Sequence, residues 1–193
     1  MVGVTSTLTK LKNYMEVSFY LLLVLAHFGV FDVLYFHVYK CKLHLRPECH
    51  REVFWHVLRH LIYALQFFWV ANFRFYGWAL LLLVALYFCD IFVAWSDVLE
   101  ENKSRAAQGG LPRGEYFMHV VLSLLVGCYL MATIQAIWSD RLLPSAIVYA
   151  PPDVFWFLRF YMTAMGVIAF GNFIYDLYKW QKFGRELKVQ TSI

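Results

Sequence analysis

Five long apolar runs, joined by short connectors, constrain this chain more than any other feature of its sequence. They cover roughly 15–39, 53–72, 76–95, 116–138 and 154–178. Each approaches or exceeds the roughly 20 residues that a helix rising 1.5 Å per residue needs to cross a hydrocarbon layer about 30 Å thick. No water satisfies a bare backbone in that layer, so such spans must be helical. Composition agrees: 61% of residues are hydrophobic and 16% charged, against about a quarter charged in an ordinary soluble domain. The expectation is an all-α integral membrane protein, multi-pass. It has a single transmembrane domain over 1–193, a bundle of about five helices, and a short basic tail at 179–193. The first run is longer than a signal-peptide core, carries His27 and Asp32, and lacks a small-residue cleavage pattern, so it reads as a retained span.

Tryptophan supports these limits independently. Trp55, Trp69, Trp78, Trp95, Trp138, Trp156 and Trp180 all fall near span ends, where an amphipathic indole prefers to sit. The connector 73–75 is so short that spans two and three must be antiparallel neighbours. Orientation follows from the basic residues. Lys40, Lys42, Arg46, Arg51, Lys103, Arg105, Arg113, Lys179, Lys182, Arg185 and Lys188 lie on one side of a five-span chain. Lys10, Lys12, Arg74 and Arg141 lie on the other. The C-terminus is therefore expected in the cytoplasm and the N-terminus outside, with Lys10 and Lys12 opposing this.

An ionisable group inside a span is costly and by default functional. Most such groups here belong to the cytoplasmic half. His56 and His60 are spaced i, i+4. Asp90, Asp97 and Glu101 share a face if the third helix runs on past Trp95, and Glu115, His119 and Ser123 share one on the fourth. Imidazole nitrogen mixed with carboxylate oxygen from several bundle helices suits iron, manganese or zinc. The expected metal ligands are His56, His60, Asp90, Asp97, Glu101 and His119. Asp32, His37 and Glu115 are further ligands or hydrogen-bond partners of the ligands.

Other patterns carry less. Cys41-x2-His44-x4-Cys49-His50 offers four metal-capable side chains but no paired C-x2-C arms, and reads as a basic surface loop rather than a zinc site. The four cysteines form no disulfide framework. Haem is the alternative cofactor, with His60 and His119, or either with His27, as axial pairs. His56-x3-His60 near a cytoplasmic helix end resembles, in location, the histidine boxes of membrane fatty-acid hydroxylases and desaturases; no H-x-x-H-H box occurs. Basic residues track loops rather than a stripe, so no nucleic-acid partner is expected. Gly166 and Gly171 are expected to permit close helix packing.

These features lead to a metal-dependent membrane enzyme with a mono- or dinuclear His/carboxylate site. Its substrate is a lipophilic small molecule arriving from the bilayer, and oxidation at iron is favoured over hydrolysis. One alternative is a non-enzymatic accessory or assembly subunit among other membrane subunits, carrying haem or pigment. A third reading, a small proton or cation transporter, ranks last because the outer halves of spans one to four are largely apolar.

Overall fold

A computed structural model describes residues 2–191, with side chains for 15–185 and 187. Helix α1 (Val2–Phe31) continues without a break into a π-helical segment, Asp32–Lys40. Two short 3₁₀ turns at Leu43–Leu45 and Pro47–Cys49 lead into α2 (His50–Asn72). Strand β1 (Phe73–Tyr76) precedes α3 (Leu80–Ser104), and α4 (Arg113–Ile137) follows a tight loop. Strand β2 (Ala146–Tyr149) and α5 (Trp156–Thr191) complete the chain. The protein is all-α apart from one small antiparallel sheet, in which β1 pairs with β2 from Phe73 opposite Tyr149 to Tyr76 opposite Ala146.

Four of the helical stretches are long and apolar enough to cross a membrane: Met15–Leu45, Gly77–Ser104, Arg113–Ile137 and Trp156–Arg185. At most 33% of the most apolar window in any of them is buried within the protein. Large apolar side chains such as Leu82, Phe92, Leu124, Phe160 and Ile168 face outward, an exposure that a water-soluble monomer does not tolerate over whole helices. Helix α2 forms where the second span was expected but falls outside this group. Arg51, Glu52, His56, Arg59, His60 and Gln66 lower its apolarity, and α5 on one side and α3 on the other shield it.

The basic stretch from 179 is helical as far as Thr191, because α5 continues into it. The short connector after α2 forms strand β1, whose backbone bonds β2. That junction depends on Gly77, whose φ of +55° and absent Cβ let Leu143 O approach; a Cβ there would stand 2.5 Å from that oxygen. Gly166 also meets its expectation, since a Cβ would come within 3.1 Å of Phe68 N on α2, whereas Gly171 faces open space. The side chains of Lys10, Lys12 and Lys188, used in assigning orientation, lie outside the described residues.

The closely packed helix pairs are α2 with α5, α1 with α4 and α2 with α3. The apolar core occupies the half of the bundle nearer the sheet and includes Phe19, Leu22, Leu25, Phe67, Val70, Leu122 and Met162. Buried polar groups collect in the other half, toward the 41–49 and 105–112 loops.

Candidate metal centre

Four segments each send a pair of chemically able side chains into that polar half. The π segment supplies Asp32 and His37, and α2 supplies Glu52 and His56. Helix α3 supplies Asp97 and Glu101, and α4 supplies Glu115 and His119. The last three pairs are i, i+4, one turn apart on one face. The first is i, i+5, a step that would leave the residues about 140° apart on an α-helix. The wider π turn, with its i→i+5 bonding, returns them to the same side.

The contacts between pairs are close. His37 Nε2 lies 3.2 Å from Glu115 Oε1 and 3.5 Å from Asp32 Oδ2. His119 Nε2 lies 3.4 Å from Asp32 Oδ2, and its Nδ1 3.3 Å from Glu101 Oε1. His56 Nε2 lies 3.4 Å from Asp97 Oδ1 and 3.7 Å from Glu52 Oε1. The His37 and His56 rings are 4.3 Å apart, centre to centre. Asp32, His37 and His119 each offer one donor atom within 4.8 Å of the others.

These atoms approach one another without the alignment of hydrogen bonds. Asp32 Oδ1, both ring nitrogens of His37, His56 Nε2, Asp97 Oδ1, Glu101 Oε1 and His119 Nε2 are buried with no hydrogen-bond partner among the described residues. Buried polar atoms are ordinarily paired, so a cluster of unpaired lone pairs converging from four helices fits a cation. The charges agree. Asp32, Glu52, Asp97, Glu101 and Glu115 are all buried. Two guanidinium groups answer these five carboxylates. Arg59 lies 3.2 Å from Asp97 Oδ2, and Arg105 bonds Glu52 at 2.7 Å and Glu115 at 2.6 Å. Three negative charges remain; His37, His56 and His119, each 3.2–3.4 Å from one of these carboxylates, offset them when protonated, as a bound cation would.

Arg105 is fully buried and joins the α2 and α4 carboxylates from the loop after α3. Burial opposes its charge, yet the two carboxylates hold the guanidinium above its usual pKa. Glu52 also accepts a hydrogen bond from Ser104. Glu52 and Glu115 are thereby fixed beside His56 Nε2 and His37 Nε2, the same nitrogens that face Asp97 and Asp32.

The expected ligands divide accordingly. His56, Asp97, Glu101 and His119 come together with Asp32, His37 and Glu115. His60 and Asp90 stand apart: His60 Nδ1 faces Asp176 of α5 at 3.1 Å, and Asp90 accepts a 2.8 Å bond from Gln66. Glu52 and Arg105 escaped the sequence reading. The spacing of Glu52 to His56 is plain, but Glu52 precedes the second apolar run and looks like a loop charge. Both ring nitrogens of His27 are engaged, by Leu23 O at 2.7 Å and Tyr161 Oη at 2.9 Å, leaving none for a haem. Ser123 bonds its own helix at His119 O. The loop cysteines are buried rather than at the surface. Cys49 Sγ donates to Ser104 O and Cys41 Sγ to Glu115, and burial pushes the Cys49 thiol up to about 11.

Two cavities reach the cluster. One of about 270 Å³, between the π segment, α2 and the end of α5, includes His37 and His56 in its wall. One of about 180 Å³, between α2, α3 and α4, includes Glu101 and His119. Comparison with protein-family models, curated proteins and solved structures gives no match to this chain.

Proposed function

We propose that this chain is a multi-pass integral membrane enzyme that holds one or two metal ions between α1, α2, α3 and α4 and oxidises a lipophilic substrate. In this reading α2 crosses the bilayer as a fifth helix, shielded from lipid by its neighbours. The metal end of the bundle faces the cytoplasm, where the Lys and Arg excess places it. The observation that carries the proposal is the convergence of three imidazoles and five buried carboxylates, several of whose nitrogen and oxygen atoms lack a hydrogen-bond partner among the described residues. Inward carboxylates and histidines on facing helices build dinuclear centres in soluble bundles. Three imidazoles with three or more carboxylates suit iron ahead of zinc or manganese.

Bound iron supplies one-electron and oxygen chemistry. The chain's own residues do the rest. His37, His56 and His119 with Asp32, Asp97 and Glu101 hold the ion, and Arg105 holds Glu52 and Glu115 beside two of the imidazoles. The Arg105 clamp closes the loop side against water. Arg59, bonded to Tyr63 at 2.9 Å and to Asp97, orients one ligand from the membrane side.

Elemental analysis and an absorption spectrum of the purified protein test this. Iron without a Soret band is expected. His56→Ala, Asp97→Ala and His119→Ala should each lose the metal while the protein stays folded in detergent, and His60→Ala and Asp90→Ala should retain it. A porphyrin band, or metal retained in all three site variants, would sink the proposal.

A further inference from the structure

The two cavities differ in charge. The smaller one carries Asp90 and Glu101 in its wall, and its cation, Arg59, is already engaged by Asp97 and Tyr63. The larger one has an apolar and imidazole interior, with Val57, His37 and His56 innermost and His37 and Val57 buried. Its outer lining carries His44, Lys179 and Arg46, the last paired with Glu48 at 3.6 Å and donating to Cys41 O at 2.8 Å. Lys179 is exposed, lies 4.4 Å from the Tyr175 ring centre, and makes no ion pair among the described residues. Asp176, the carboxylate on this lining, is turned to His60.

We infer that the larger cavity is the substrate site of the proposed metal centre and takes an amphiphile with an anionic head group and one aliphatic chain. The inference rests on the metal reading for its chemistry but not for its binding. Charge decides the head group, since a cationic rim over a desolvated interior favours an anion there. Size decides the chain. At about 30 Å³ per small molecular unit, 270 Å³ holds roughly nine non-hydrogen atoms, enough for a head group and the first carbons of one chain. On the α5 side the Trp180 indole stacks on His50 at 4.9 Å and donates to His50 O at 3.0 Å. A head group held at Lys179 leaves the first carbons of the chain in the cavity whose wall includes His37 and His56.

Equilibrium binding of radiolabelled palmitate, lysophosphatidate and hexadecanol to the purified protein in nonionic detergent tests this, with metal content measured for each variant. At least one anion should bind tenfold or more tightly than hexadecanol, and the tighter of the two identifies a carboxylate or a phosphate head. Lys179→Glu should weaken anion binding tenfold or more and leave hexadecanol unchanged. Val57→Trp, which fills the larger cavity, should remove binding, and Ala94→Trp in the smaller one should not. Equal binding of the alcohol, indifference to Lys179→Glu, or loss only in Ala94→Trp overturns the inference. Should Val57→Trp not fold, Lys179→Glu decides. Anion binding of this pattern in a protein without metal leaves the pocket and removes the centre. Metal retained with no anion binding does the reverse.

Discussion

Arg105 has no contact with solvent and two carboxylates within 2.7 Å, one from α2 and one from α4. Its removal leaves both acids buried and unanswered, the situation in which breaking a buried ion pair costs about 3–5 kcal/mol. Arg105→Met should accordingly lower the thermal midpoint in detergent steeply. Adding Glu52→Gln and Glu115→Gln to that variant should recover part of the loss, because the neutral amides no longer need a countercharge. A midpoint unchanged by Arg105→Met would show that the clamp is not under load. The sequence could not reveal this role. Arg105 reads as one of several basic residues in a loop that supports the orientation, and only the fold shows its guanidinium turned inward. His56, Asp97, Glu101 and His119, by contrast, were legible, because an ionisable residue on a helical stripe at a span end has few inexpensive alternatives. His60 and Asp90 share that stripe logic yet point to other neighbours, since spacing along one helix says nothing of what the next helix offers.

Most span ends were legible to within a few residues, but α1 begins about thirteen residues before 15, α3 runs about nine past 95 and α5 about thirteen past 178, where polar sequence continues the helix. The sequence condition that α3 run past Trp95 is met to Ser104, which is how Asp97 and Glu101 come to face inward. Strand β1 was hidden in a connector too short to suggest a strand, because its partner lies about 70 residues away in the chain. The π segment was hidden for another reason: a five-residue step matches neither the helical nor the strand period. It also carries a prediction. Deleting the exposed Leu34 would let the segment relax to an α-helix with Asp32 and His37 four apart, still on one face. Inserting an alanine after Val33 would place them six apart and on different faces. Metal content should therefore survive the deletion and fall tenfold or more on the insertion. Equal loss in both would mean that the π geometry does more than set this spacing.

For the whole molecule, the testable matter is which way it lies in the bilayer. The sheet and the proposed metal centre are at opposite ends, so one labelling experiment reports on both. In a chain with Cys89→Ser and Cys128→Ser, a membrane-impermeant maleimide applied to intact cells should reach Val148→Cys, in β2, and spare Ala107→Cys, in the loop after α3. The motive is the Lys and Arg asymmetry. Labelling of Ala107→Cys from outside would invert the protein and move the proposed site to the other face.

Among the described residues, α5 supplies no donor to the cluster, yet Tyr175, Lys179, Trp180 and Phe183 form one side of the larger cavity. In the proposed reading, α5 shapes one wall of the guest's cavity without lending the ion a ligand, so drift in α5 would retune which guest is admitted while the candidate ligands on α1 to α4 stay as they are.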